Sequence, residues 1–197
     1  MKKTFIFVAI FFALSGAKAQ TVHFGIKGGL NASSVNSNPS NSDMQTKVGF
    51  NLGLLAHIHT SNPQWAIQPE IYYSDEGAKS KSNSSASFNL GFINVPVLGQ
   101  YMFDNGFRIE AGPQLGFLTN AKSTSGNVTV NVKEDFKKTN FSIPVGIGYV
   151  TSSGFGLDAR YNFGLSNLNN TTTSTKIHSN VFQFGLFYQF SNSKRGH

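Results

Sequence analysis

Six charged residues recur inside segments that are otherwise apolar or small: Lys27, Glu70, Arg108, Glu110, Asp158 and Arg160. Three acids and three bases sum to zero, the composition of an ion-pair network, and in a dry interior each must find a partner or water. The same groups could line a proton or ion path. His23, His57 and His59 fall beside short turns. A metal would need about three converging ligands, and polar rim residues are the simpler use of these imidazoles. A membrane-embedded hydrolase or acyltransferase would need Ser, His and a carboxylate together, but the chain has no Gly-x-Ser-x-Gly elbow. Gly25-x-x-Gly28-Gly29 is not a phosphate loop, because no strand-to-helix junction follows it. No catalytic, cofactor-binding or metal-ligating set is assigned, and the chain is read as non-enzymatic.

The segments that carry the six charges alternate with period two, the signature of strands. In the first, residues 22–32, Val22, Phe24, Ile26 and Leu30 share one face, and His23, Gly25, Lys27, Gly29 and Asn31 share the other. Seven more follow at residues 47–59, 65–74, 87–103, 107–119, 140–150, 155–165 and 181–190. The fourth is the least regular: Phe88 and Leu90 fall out of phase with Ile93, Val95 and Val97, which predicts a bulge near Gly91. Short connections at residues 60–64, 104–106 and 152–154 alternate with long polar ones at 33–45, 75–86, 120–139 and 166–179. The long ones, rich in Ser, Asn, Thr and Lys, are read as surface loops. Short-long alternation is what an up-and-down barrel shows when each rim faces a different compartment.

Composition narrows the class. The chain has 197 residues, 39% of them hydrophobic, 13% aromatic and 13% charged, with 19 Phe and no Cys. That is one domain's length, with too many aromatics for a disordered chain and no disulfide scaffold. Met1-Lys2-Lys3, the apolar run from Phe5 to Leu14 and Ala17-Lys18-Ala19 read as a secretory signal peptide over residues 1–19, leaving a barrel over 20–190 and a loose tail over 191–197. Cleavage after Ala19 removes Lys2, Lys3 and Lys18, so 16 bases become 13 and, against 9 acids, the net charge falls from +7 to +4. The remaining bases are scattered, which sets nucleic acid aside as a partner.

The direction of the two faces decides between a soluble and a membrane barrel. The polar face carries the six charges with Asn51, Gln68, Gln114, Asn162, Gln183 and many glycines, whereas the apolar face carries no charge in any strand. An eight-stranded barrel is only just wide enough inside for side chains, so glycines and mid-sized polar groups fit there and the aromatics do not. A charge facing the bilayer centre costs about 2–4 kcal/mol, which accounts for the clean apolar face. The fold expected is therefore all-β: an eight-stranded antiparallel up-and-down transmembrane β-barrel with both mature termini in the periplasm.

In the last strand, Gln183-x-Gly185-x-x-Tyr188-x-Phe190 resembles the β-signal read by the outer-membrane assembly machinery. Across the chain come Gly25-Ile26-Lys27-Gly28-Gly29-Leu30-Asn31, Gly49-Phe50-Asn51-Leu52-Gly53, Gln68-Pro69-Glu70-Ile71-Tyr72-Tyr73-Ser74, Asn94-Val95-Pro96-Val97, Glu110-Ala111-Gly112-Pro113 and Leu157-Asp158-Ala159-Arg160-Tyr161. In this order they resemble the outer-membrane β-barrel domain family that includes the PorT-like proteins. The resemblance implies a small barrel of the Gram-negative outer membrane and no cofactor. Its expected partners are outer-membrane lipid and lipopolysaccharide, the assembly machinery, and an unknown surface or periplasmic protein. The function expected is an envelope structural or surface-interaction role through the long loops. A narrow transporter or a PorT-like secretion accessory is the alternative, and an embedded hydrolase the next.

Overall fold

The computed structural model describes residues 21–38, 44–80, 86–170 and 176–190; the expected signal peptide and the tail over 191–197 lie outside them. The strands are β1 (Val22–Asn38), β2 (Met44–His59), β3 (Trp65–Ser80), β4 (Ala86–Met102), β5 (Phe107–Ala111), β6 (Gln114–Ser125), β7 (Val128–Asn131), β8 (Thr139–Val150), β9 (Phe155–Gly164) and β10 (Lys176–Gln189). All pairings are antiparallel between neighbours, and β1 pairs with β10, so the sheet closes on itself.

Ten strands make a ring of eight. The fifth expected strand is split at Gly112-Pro113 into β5 and β6, which occupy one place in the wall between β4 and β8. Pro113 has no N–H to give a ladder, yet its carbonyl accepts from Val97 N at 3.0 Å, and Gly112 N donates to Pro144 O at 3.2 Å. A Cβ on Gly112 would lie 2.0 Å from the Val97 carbonyl, so the wall closes here only around glycine. The short β7 pairs only with β6 and stands outside the ring.

The strands outrun the expected loops. Residues 33–38, 44–45, 75–80, 120–125 and 176–179 are paired backbone, not loop. The hydrophobic alternation ends where the lipid ends, but cross-strand hydrogen bonds continue into water. Crossing the hydrocarbon takes about 9–11 residues, so a 17-residue β1 projects roughly 20 Å beyond it. The bulge in β4 falls between Gly91 and Phe92.

The faces are unambiguous. Leu30 is 61% exposed and its neighbour Asn31 1%; Phe163, Phe184 and Ile147 are all exposed on the outer wall. Glu110 and Arg160 are buried inside. Among the described residues no helix is long and apolar enough to cross a membrane; the crossing is made by strands. Near the short turns the outer aromatics form a chain of contacts, Trp65 to Tyr101, Tyr101 to Phe103 and Phe103 to Phe107, with centroids 5.1–5.7 Å apart. Amphipathic rings of this kind anchor a barrel at the membrane interface.

Candidate functional site: the filled lumen

Inward-facing residues stack in four layers from the short-turn end to the long-strand end. The lowest holds Arg108, whose guanidinium carbon lies 4.3 Å from the centre of the Phe187 ring. Both need floor space. A Cβ on Gly156 would meet the Phe187 ring at 2.1 Å, and one on Gly148 would meet Arg108 Nε at 2.9 Å. Glycine in β8 and β9 is thus what lets two large side chains lie flat across a narrow barrel. His57 belongs to this layer, its Nδ1 3.3 Å from Gln68 Oε1. Its ring stands 4.7 Å from that of His59, which is 5.7 Å from that of His23. Among the described residues no group of three His, Asp or Glu side chains is arranged to hold a metal.

The second layer joins five of the six charges singled out in the sequence. Arg160 Nη1 and Nη2 donate to Glu70 Oε2 and Oε1, each at 2.8 Å, and Arg160 Nε donates to Glu110 Oε1. Lys27 Nζ lies 3.1 Å from Glu70 Oε2 and 3.7 Å from Asp158 Oδ2; Arg160 Nη2 is 3.8 Å from the same Asp158 oxygen. Gln68 Nε2 donates to Glu70 Oε1 at 2.7 Å and Gln100 Nε2 to Glu110 Oε2 at 2.6 Å. The sixth, Arg108, departs from the expected network: it forms no ion pair among the described residues, and its Nε and Nη1 have no hydrogen-bond partner. The reason is height, since Arg108 sits level with Gly148 one step below Glu110, and its side chain spreads over Phe187 instead of rising toward the carboxylates.

The third layer is neutral near its base. Tyr72 Oη donates to Gln114 Oε1 at 2.7 Å, Gln114 Nε2 to Ser142 Oγ at 3.0 Å, and Gln183 Nε2 and Asn51 Nδ2 both to Asn31 Oδ1. Above them Glu76 accepts from Ser74 Oγ, Ser179 Oγ and Asn94 Nδ2, while Lys47 Nζ meets Asp75 Oδ2 at 2.8 Å and the Glu76 carbonyl at 3.1 Å. Sequence reasoning missed Glu76 and Asp75 because it ended the third strand at Ser74, and it passed over Lys47, the first residue of the second expected strand. Stepping by two from Glu70 through Tyr72 and Ser74 would have reached Glu76 on the same face.

The fourth layer is an apolar lid. Leu90, Phe92, Leu118 and Ala121 face inward and pack with Leu168, which is 0% exposed, and with Val132 and Phe136. Phe136 and Asn169 form a β-bridge, Lys137 N donates to Leu168 O at 2.8 Å, and Asn170 N donates to Asp135 O at 3.0 Å. These bonds pin the β9–β10 connection to the segment between β7 and β8. The phase break at Leu90 is therefore the start of the lid.

Of the residues in the β-signal resemblance, Gln183 points into the lumen, Gly185 pairs with Asp158, and Tyr188 and Phe190 lie exposed on the outer wall with rings 5.4 Å apart. Inside the barrel, Ser33, Ser74, Ser142 and Ser179 bond to carbonyls, amides and Glu76, and none to a histidine. The arrangement can hold charge in place across the width of the barrel.

The sequence profile of the family described as outer membrane protein β-barrel domain matches residues 18–170. No curated protein matches the sequence. Among solved structures, Neisserial surface protein A (NspA) is similar at a TM-score of 0.61 and 15% identity, covering 88% of this chain and 100% of its own. Ail, the attachment invasion locus protein of Yersinia pestis, is similar at 0.53 and 17% identity, covering 85% of this chain and 98% of its own. At these identities the likeness is one of fold.

Proposed function

The chain belongs to the outer membrane protein β-barrel domain family and resides in the outer membrane, and from that premise we propose that it is a non-enzymatic envelope protein working through its outward strands, not its lumen. One observation carries the reading: among the described residues, side chains meet across the lumen at four levels, the Arg108–Phe187 floor, the ion pairs around Arg160, the amide layer and the Leu168 lid. A closed eight-stranded barrel has little room to spare, and here that room is taken. What remains available to partners is the membrane wall, in contact with lipid, and the hairpins beyond it, where recognition on a rigid scaffold is usually placed. Partners in this reading are lipopolysaccharide and an unidentified surface or periplasmic protein. Residues 1–19 act as the export signal.

The test is electrical and topological. Refolded protein in planar bilayers is expected to show no steady conductance, and protease added to whole cells is expected to cut within residues 120–139. Steady, voltage-independent conductance would replace this reading with the narrow transporter.

A further inference from the structure

The outer wall is apolar all round, but its upper border is not uniform. At the level just past the last outward apolar residue, β1 presents Ala32 and Ser34, β2 Thr46 and β10 Asn180, all uncharged. On β3, Asp75 is taken up by Lys47. The sector of β6 and β8 differs. Lys133 Nζ donates at 2.7 Å to the carbonyl of Thr119, two residues beyond Phe117. Lys138 accepts at its carbonyl from Leu118 N at 2.9 Å, which sets it opposite the inward-facing Leu118, so that Lys137, two residues before Thr139, falls on the side of Phe117. Lys122 follows on β6, and Lys137 precedes Lys138; Lys122, Lys137 and Lys138 are exposed and Lys133 is half-buried. None of the four ammonium groups meets a carboxylate among the described residues. With Glu134 and Asp135 in the same connection, four bases against two acids leave the sector at +2. Immediately below stand Phe117, Phe141 and Leu165, exposed on the membrane face.

We propose that this sector seats a phosphorylated glycolipid of the outer leaflet, its phosphates against Lys122, Lys133 and Lys137 and its acyl chains along Phe117, Phe141 and Leu165. The occupant follows from the order of the surfaces. Cations lie at headgroup height directly above an apolar wall, so the ligand must carry anionic oxygens at one end and hydrocarbon below. A protein partner would not need the submerged half, and free phosphate would not use it. An ammonium group near a charged membrane surface strengthens anionic-lipid binding about fivefold. The three together therefore discriminate about a hundredfold, before screening by salt. The inference deepens the surface-interaction reading by naming one ligand class and where it sits.

The full-length protein, refolded into phosphatidylcholine vesicles doped with a bis-phosphorylated lipid A, would be extracted gently and its bound lipid read by native mass spectrometry. The same glycolipid without phosphates serves as the comparison. Wild type is expected to retain the phosphorylated form at least tenfold over the other. Lys122→Gln/Lys133→Gln/Lys137→Gln should abolish the preference, Lys133→Gln alone should cut it about fivefold, and Lys79→Gln on β3 should leave it intact. Heat-dependent gel mobility shows that each barrel is closed. Equal retention of both lipids by wild type, an undiminished preference in the triple variant, or full displacement by inorganic phosphate would each overturn the proposal. None of these results bears on conductance, so the lumen reading stands or falls separately.

Discussion

Arg160 on β9 and Glu70 on β3 face each other across the barrel axis as a two-pronged pair, guanidinium fork to carboxylate, both hydrogen bonds at 2.8 Å. Ninety residues of chain separate them. Such forks are among the stronger charge-assisted contacts, and here one ties two opposite walls together. Glu110 on the Arg160 Nε and Lys27 on the Glu70 side extend the tie to β5 and β1. The network is better understood as a cross-brace than as a conduit.

Glu110→Gln should therefore leave the buried Arg160 Nε facing a neutral amide in place of a carboxylate, and lower stability by about 3–5 kcal/mol. Urea unfolding of the refolded protein in micelles reads this directly. Arg108→Met should cost clearly less, because Arg108 forms no ion pair and Met can keep the contact with Phe187. Equal losses for the two variants would remove the cross-brace.

A second expectation concerns the floor. Gly156→Ala would place a methyl 2.1 Å from the Phe187 ring, an overpacking that typically costs about 1–3 kcal/mol. Gly28→Ala, on the lipid side with nothing nearer than 3.4 Å, should be close to neutral. The pair is measured as a difference in thermal unfolding, and reversal of the order would mean that the lumen is looser than described.

The period-two pattern made the wall legible because lipid outside and polar packing inside act on alternate residues. It also placed Lys27, Glu70, Glu110, Asp158 and Arg160 on one face. It could not say at what height each charge sits, which is why Arg108 was grouped with them although it stacks on Phe187. Nor could it follow strands past the lipid, where Ser33 and Ser179 serve the backbone and carboxylates of neighbouring strands with no hydrophobic contrast to mark them. The Leu168 lid was invisible for the same reason: its contacts join residues from β4, β6 and a connection that local pattern treats as polar loop.

The third expectation separates lipid from water along the outer surface. Ile147→Arg, in the middle of β8 on the exposed face, should destabilise the barrel in vesicles by about 2–4 kcal/mol. Val128→Lys, equally exposed but on β7 outside the ring, should change stability by less than about 0.5 kcal/mol. Similar penalties would place β7 in the membrane.

The last concerns delivery. We propose that Gln183, Gly185, Tyr188 and Phe190 form the signal read by the assembly machinery. Phe190→Ala should then slow insertion into proteoliposomes that contain the machinery several-fold, while folding into detergent proceeds at an unchanged rate. An equal effect on both routes would assign Phe190 to the wall alone.

β1 and β10 lie side by side from Gly25 opposite Gln189 to Asn38 opposite Lys176. The seam thus joins the earliest strand synthesised to the latest. A chain stalled partway through translation has no partner for its leading edge, and that edge stays open to any other extended polypeptide. Safe passage to the membrane consequently depends on holding the entire polypeptide unstructured until its final segment arrives, and a fragment that lacks that segment has no closed form to reach.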